Sequence, residues 1–385
     1  MGLRVELVPR IAEIPAADWD ALAGPDDPFV EHGFLLALET SESVGADSGW
    51  HPMHVAVWLE TEGAPDRLVG GLPLYAKTHS YGEYIFDWSW AGAAERAGIR
   101  YYPKLVSMIP FTPATGKRVL IAADVDLREV ARALLAGVEA GRDRIDASSA
   151  HLLFLEEQER DLMVAEGQLL TRLTNQFHFR NAGYESFDDF LGRFRSSLRK
   201  QVRRERRQAA ESGLELRVLE GPEMTERDWD ALRGFYFDTC YRRGSGPYLT
   251  RRFFRDLAET HAHRVVACLA YDGERVVAGT LNFQKGKHLY GRYWGCTEEH
   301  PGVHFELCYY RLIERAIDQG LTRFEAGAQG THKLRRGLMP AAIHSAHFIA
   351  DPRLAGAVAE FLPREADAMR QEMAELSMHG PFRRG

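Results

Sequence analysis

The chain of 385 residues has little cysteine. Its four thiols, Cys240, Cys268, Cys296 and Cys308, form no Cys-x-x-Cys pair. That count and spacing fit neither a disulfide scaffold nor a structural zinc site. Reduced thiols in a cytoplasmic protein are expected. Long apolar runs are missing. No stretch approaches the roughly 18 apolar residues of a membrane-crossing helix. The segment 1–20 has no apolar signal core. Glu6 stands where a myristoylation signal at Gly2 needs Ser or Thr. Gly-x-Gly-x-x-Gly and the phosphate-binding Gly-x4-Gly-Lys-Ser/Thr are absent, so dinucleotide and ATP fingerprints are excluded. No Gly-x-Ser-x-Gly elbow occurs. His261-x-His263 and His344-x-x-His347 lack a supporting His-Glu-x-x-His or cysteine pair, so no metal is expected.

Hydrophobic residues at 45% and charged residues at 27% are the balance of an ordinary globular chain. At about 150 residues per domain, the length implies two to three domains. Lys and Arg number 48 against 55 Asp and Glu, a net charge of −7. This excludes a protein that coats nucleic acid over its whole surface, but not a local basic patch.

The sequence repeats itself. Asp18-Trp19-Asp20-Ala21-Leu22 recurs as Asp228-Trp229-Asp230-Ala231-Leu232. Leu68-Val69-Gly70-Gly71 matches Val276-Val277-Ala278-Gly279. Tyr81-Gly82-Glu83-Tyr84 matches Tyr290-Gly291-Arg292-Tyr293, and Tyr101-Tyr102 matches Tyr309-Tyr310. Four matches in one order at an offset near 209 indicate two homologous domains. The expected boundaries are 1–183 and 214–385, joined by a basic helical segment, 184–213. Each half reads as a strand, a helix on the Asp-Trp word, antiparallel strands, a strand on the Tyr-Gly-x-Tyr word and a helix on the Tyr-Tyr pair. The fold class is α+β, each half a mixed, mainly antiparallel sheet flanked by helices. The clearest helix is 303–319, with Gly320 as its stop.

The basic segment carries Arg193, Arg195, Arg199, Lys200, Arg203, Arg204, Arg206 and Arg207. It reads as a solvated helix or as one that meets phosphates. The densest polar cluster, 324–337, follows a strand. It holds Glu325, Gln329, Gly330, His332, Lys333 and Arg336, with glycines that permit close backbone approach. A second cluster, His304 with Glu306, opens the clear helix. A third places Tyr290 and Arg292 on one strand face. In the first half, His79, Tyr81, Asp87 and Lys104 form another. Asp87 calls for a partner such as Lys104 or Arg118, because an unpaired buried carboxylate is costly.

His304-Phe305-Glu306 with Cys308-Tyr309-Tyr310, Gly327-Ala328-Gln329-Gly330 with His332-Lys333 and Arg336-Gly337, and His344-Ser345-Ala346-His347 resemble the Fem-like family named for peptidoglycan biosynthesis or recognition. His79 to Tyr84, Phe86-Asp87-Trp88 and Tyr101 to Leu105 resemble its first-half pattern, and Asn181 to Phe190 with the basic helix fits too. The resemblance spans roughly 18–350. It implies tandem GNAT-like domains and acyl or aminoacyl transfer to an amine, such as that of a cell-wall precursor. No tightly bound cofactor is implied. The donor co-substrate is aminoacyl-tRNA or acyl-CoA, and the CoA signature Gln/Arg-x-x-Gly-x-Gly/Ala is not visible. Such transfer needs a base for the amine proton. Glu306, His304, Glu325 and His332 are the candidates. Oxyanion and substrate contacts fall to Gln329, Gly330, Lys333, Arg336, Tyr290, Arg292, His79, Tyr81, Asp87 and Lys104. Donor phosphates would meet Arg199, Lys200, Arg203 and Arg204. A non-catalytic cell-wall-ligand module and an RNA-binding protein are the competing readings.

Overall fold

The computed structural model describes residues 2–244, 246–327 and 330–383. Two compact units emerge. Unit 1 holds residues 1–174 and 342–371, and unit 2 holds 175–341 and 372–385. The halves are therefore not the contiguous 1–183 and 214–385. Each unit takes its closing strand from the end of the other half of the sequence.

The strands of unit 1 are β1 Gly2–Val8, β2 Trp50–Pro52, β3 His54–Glu60, β4 Arg67–Leu72, β5 Tyr75–Lys77, β6 Lys104–Ser107, β7 Leu120–Ile121 and β8 Ser149–Leu155. β1, β3, β4 and β7 form one antiparallel ladder. In the other ladder β2, β5 and β6 are antiparallel, and β6 runs parallel to β8. Of β9, Leu170–Arg180, residues to 174 belong here. So do residues from 342 onward of β15, Met339–Ile349, which pair antiparallel with β8. Helices α1 Ala16–Leu22, α2 His32–Thr40, α3 Trp88–Arg96, α4 Leu127–Ile145 and α5 Glu157–Gly167 flank them. α4 shows why: Val130, Leu134 and Val138 recur at helical spacing and are buried. Each such side chain contributes about 1.5–3 kcal/mol of burial. Its N-terminus is closed by Asp126, whose carboxylate accepts from the Glu129 amide.

Unit 2 begins with residues 175–180 of β9 and helices α6 Phe187–Gly192 and α7 Ser196–Ala210. β10 Glu215–Glu220 and α8 Glu226–Arg242 follow. Next come α9 Arg251–Thr260, β11 Val265–Asp272, β12 Arg275–Lys285 and β13 His288–Cys296. α10 Val303–Phe305 runs through a π turn, Glu306–Tyr310, into α11 Arg311–Asp318. β14 Arg323–Glu325 is parallel to β13 and antiparallel to β9. α12 Pro352–Met378 has its last turns in this unit. The basic segment is no free linker: Phe187, Phe190, Leu191, Phe194, Val202 and Ala209 belong to the unit 2 core.

Two expected repeats fail. Tyr81 to Tyr84 form a turn, not a strand. Tyr101-Tyr102 precede β6 rather than lying in a helix. β5 and β6 are separated by residues 78–103, whereas β12 and β13 meet across Gly286-Lys287. The insertion shifts the true equivalence, so Lys77 and Lys104 stand where Lys285 and His288 stand in unit 2. The Asp-Trp word lies in α1 and α8 as expected, yet Trp19 is buried in one and Asp228 in the other.

Candidate functional site

Unit 2 brings Lys333, His332 and Tyr309 together where the β13–β14 pairing ends. β13 and β14 pair from His288/Arg323 to Tyr290/Glu325, and no further pair is made among the described residues. Arg292 bulges out of the β12–β13 ladder beside this point. Beyond it, a Cβ on Gly327 would lie 3.9 Å from the Gly291 oxygen and 4.0 Å from Lys333 Nζ. Lys333 is buried and donates to the Gly327 carbonyl at 2.7 Å. Burial lowers its ammonium pKa to about 8.

His332 precedes it in a 3-10 helix, Thr331–Arg336. Its Nε2 lies 2.9 Å from the Tyr309 hydroxyl. The π turn aims that hydroxyl: an extra residue in the turn re-registers the helix face, and such turns cluster at functional sites. Gly330 has φ +113, and a Cβ there would come within 2.4 Å of the His332 ring. Only glycine lets the imidazole lie over this backbone. Burial, then Arg336 and Lys333, push the His332 pKa below its ordinary value. The ring is neutral at pH 7. His304, packed at 4.9 Å against Trp294 and 6.5 Å from His332 between centroids, is lowered to about 4 by burial, then by His332 and Arg336.

The other site candidates are committed elsewhere. Glu306 is held by Arg206 at 3.0 and 3.1 Å and by Arg311 at 3.0 Å. Glu325 pairs with Arg323 at 3.1 Å and faces His178 at 3.7 Å, both inside the sheet. These ion pairs correct the two carboxylate assignments. Arg336 is buried, grips Glu205 at 2.9 and 3.0 Å and lies 3.3 Å over the Phe305 ring. The Tyr310 hydroxyl donates to the same carboxylate. Arg336 therefore positions α7 and the loop rather than meeting ligand. Tyr290 is buried, 3.4 Å from His288 and Arg323, and Arg292 lies over Tyr293. Gln329 lies outside the described residues.

On α7, Arg206 bridges Glu306 and Glu314, and Arg203 reaches Asp188 at 3.5 Å. Arg199, Lys200, Arg204 and Arg207 have no carboxylate partner among the described residues. Lys200, Arg203, Arg204 and Arg207 are exposed and Arg199 is half-buried. The apolar side, Val202 and Ala209, is inside. The charged residues that the helix exposes are thus all cations.

Unit 1 differs. Its parallel pair continues to Ser107/Leu152, and Gly116 bridges Leu155, with Met108, Ile109 and Phe111 filling the space between. Lys104 binds Glu83 at 2.8 Å, Ser80 at 2.8 Å and Asp87. The Tyr101 hydroxyl donates to Asp87 at 2.6 Å. Burial drives Asp87 up, but Lys104 and its hydrogen bond outweigh that and leave the carboxyl below its ordinary value. Lys77 lies 3.5 Å over the Trp50 ring, and burial lowers it to about 7. His79 meets the Ser48 carbonyl at 3.0 Å, and Tyr81 is exposed. Of the four first-half candidates, Asp87 and Lys104 are joined inside the unit. Arg118 pairs instead with Asp27.

Sequence reading missed Tyr309, Glu205 and Arg206 as partners. Tyr309 keeps the helical spacing of 303–319 and so reads as part of its apolar face, whereas the π turn at 306–310 brings its hydroxyl to His332. Arg206 and Glu306 meet across 100 positions.

The sequence pattern of the FemAB-like family, described as peptidoglycan biosynthesis/recognition, matches residues 10–384. The chain belongs to that family. FemX superposes with a TM-score of 0.52 at 12% identity, covering 93% of this chain and 100% of its own. The C-terminal domain of a protein named as a lysylphosphatidylglycerol synthetase in Agrobacterium fabrum gives 0.53 at 10% identity, covering 92% and 96%. A tandem GNAT protein of the clavulanic acid pathway overlays at 0.46, with 11% identity over 91% and 99%. The fold is a tandem pair of GNAT-like units. No curated protein matches in sequence.

Proposed function

We propose that the chain is an N-acyltransferase that moves an acyl or aminoacyl group from an activated donor to an amine, with the reaction in unit 2. The observation that carries this is the Tyr309–His332 pair beside Lys333, at the point where β13 and β14 part. The amine nitrogen attacks the donor carbonyl carbon. Its proton passes to the neutral His332 imidazole, which Tyr309 orients. Lys333 turns its ammonium from the Gly327 carbonyl to the oxyanion. Collapse breaks the bond to the leaving oxygen or sulfur, which takes the proton back from His332. No covalent enzyme intermediate is needed. A cell-wall precursor amine is the acceptor that family membership favours.

Aminoacyl-tRNA is the preferred donor over acyl-CoA. A CoA diphosphate wants free helix N-terminal amides. In unit 2 the start of α10 follows Glu298 and Glu299, and Gly302 packs against α7, where a Cβ would be 2.3 Å from the Glu205 carbonyl oxygen. The cations of α7, Arg199, Lys200, Arg203 and Arg204, instead suit a phosphodiester chain.

A thermal-shift comparison tests the donor. A ligand bound only by the folded protein raises the midpoint by mass action. Aminoacylated tRNA is expected to raise it, less so as salt increases. A shift with acyl-CoA alone would overturn the donor assignment.

A further inference from the structure

Nine large hydrophobic side chains are exposed among the described residues, and three stand within eight positions of one another. Tyr81 is 58% exposed, Phe86 42% and Trp88 44%. They touch: the Tyr81 and Trp88 ring centroids are 5.1 Å apart, those of Phe86 and Trp88 6.2 Å. The ledge is built from the turn after β5 and the first residue of α3. Its underside is the Lys104–Glu83–Asp87 cluster, which fixes the turn from within.

Charge singles out this surface. Residues 78–94 contain two ionisable acids, Glu83 and Asp87, and no Lys or Arg. Both acids are buried against Lys104. The exposed side of the segment, Thr78, Tyr81, Phe86, Trp88 and Ser89, carries no formal charge. Half-buried His79 is held below its ordinary pKa by burial and Lys77. The Arg172 guanidinium beside the ledge is turned inward, donating to the Phe86 carbonyl at 2.8 Å and paired with Glu365 at 2.7 Å, with 10% of its side chain exposed. A surface that enters a lipid headgroup layer must shed charge and end in rings with one polar tip, as Trp and Tyr do at membrane boundaries.

We propose that the Tyr81–Phe86–Trp88 ledge of unit 1 seats on a lipid bilayer surface, its rings entering the interface and the charges of its turn turned inward. This holds whatever reaction unit 2 performs. The attachment is peripheral: among the described residues no helix is long and apolar enough to cross a membrane. It is also independent of lipid charge, unlike any contact made through α7.

Co-sedimentation of the whole chain with phosphatidylcholine vesicles tests it, at low and high salt, beside Phe86→Ser/Trp88→Ser. Both residues are more than half covered, so the double variant loses some thermal midpoint, and binding is compared below its unfolding transition. The expected result is salt-insensitive binding that weakens at least about tenfold in the variant, since each ring contributes about that much when it leaves water. Three results overturn the proposal. One is no binding to these vesicles, or equal binding by both proteins. Another is binding only to vesicles that also contain phosphatidylglycerol, abolished by salt, which assigns the contact to α7. The third is ring-dependent self-association without vesicle binding, which makes a second copy the occupant.

Discussion

Strand register puts two pairs of side chains at the same place in the two units. In unit 1, β6, β8 and β15 set His151 opposite His347. In unit 2, β13, β14 and β9 set Glu325 opposite His178. The unit 1 pair is neutral and complete: the two Nδ1 atoms are 2.8 Å apart, and Ser149 and Ser345 take the outer nitrogens at 2.9 Å. In the unit 2 pair, burial and then Arg323 hold His178 well below its ordinary pKa, and Glu325 leans on Arg323 at 3.1 Å. Beyond the pairs, unit 1 continues into the buried Met108, Ile109 and Phe111, while in unit 2 Lys333 reaches the Gly327 carbonyl and His332 meets Tyr309. One backbone plan thus serves two ends. In unit 1 the serines satisfy the histidine pair, while Glu83 Oε1, Asp87 Oδ1 and Ser107 Oγ are buried without a hydrogen-bond partner. In unit 2, burial lowers the pKa of both His332 and Lys333, the latter to about 8.

The comparison can be broken at its strongest point first. Lys104→Met leaves Glu83 and Asp87 buried without their cation. We expect a loss of about 3–5 kcal/mol in urea unfolding. A loss under about 1 kcal/mol would show that the unit 1 cluster is not closed.

Next is the unit 2 trio. His332→Ala should lower kcat by about a hundredfold or more, with far-UV dichroism unchanged. The wild-type profile of kcat/KM should be a bell. It rises as His332 loses its proton, at a pH below the usual histidine value, and falls above about 8, where Lys333 loses its ammonium. A profile flat through pH 8 removes Lys333 from the role.

A smaller effect separates the histidine pairs. Burial, then Lys104, lower His151 to about 3, and burial holds His347 well below 6.5. In the unfolded chain both protonate near 6.5. Their contribution is present above that pH and is lost as pH falls below it, for His151 down to about 3, by about 1.4 kcal/mol per unit. The double variant His151→Leu/His347→Leu should flatten that part of the stability curve. The smallest effect is on α7: Lys200→Ala, Arg204→Ala and Arg207→Ala together should reduce the salt slope of tRNA binding by about 3.

How much of this was legible in the sequence follows from range. The α+β class and the 303–319 helix rest on local periodicity, and the duplication on words repeated at one offset. The swapped closing strands do not, because residues 175–180 and 344–349 find partners far along the chain. Lys104 for Asp87 was legible as a demand of burial. The same logic applied to Glu306 and Glu325 needed Arg206 and Arg323, whose approach only the fold decides. The Tyr-Gly-x-Tyr match misled because residues 78–103 displace the register.

The central claim is that the reaction belongs to unit 2. The direct measurement is the rate of labelled aminoacyl transfer to an amine acceptor by Lys333→Met and Lys77→Met, one buried lysine from each unit. The account predicts a fall of about a hundred- to a thousandfold for Lys333→Met, with donor binding kept, and a rate within about threefold of wild type per folded molecule for Lys77→Met. The reverse pattern would contradict it.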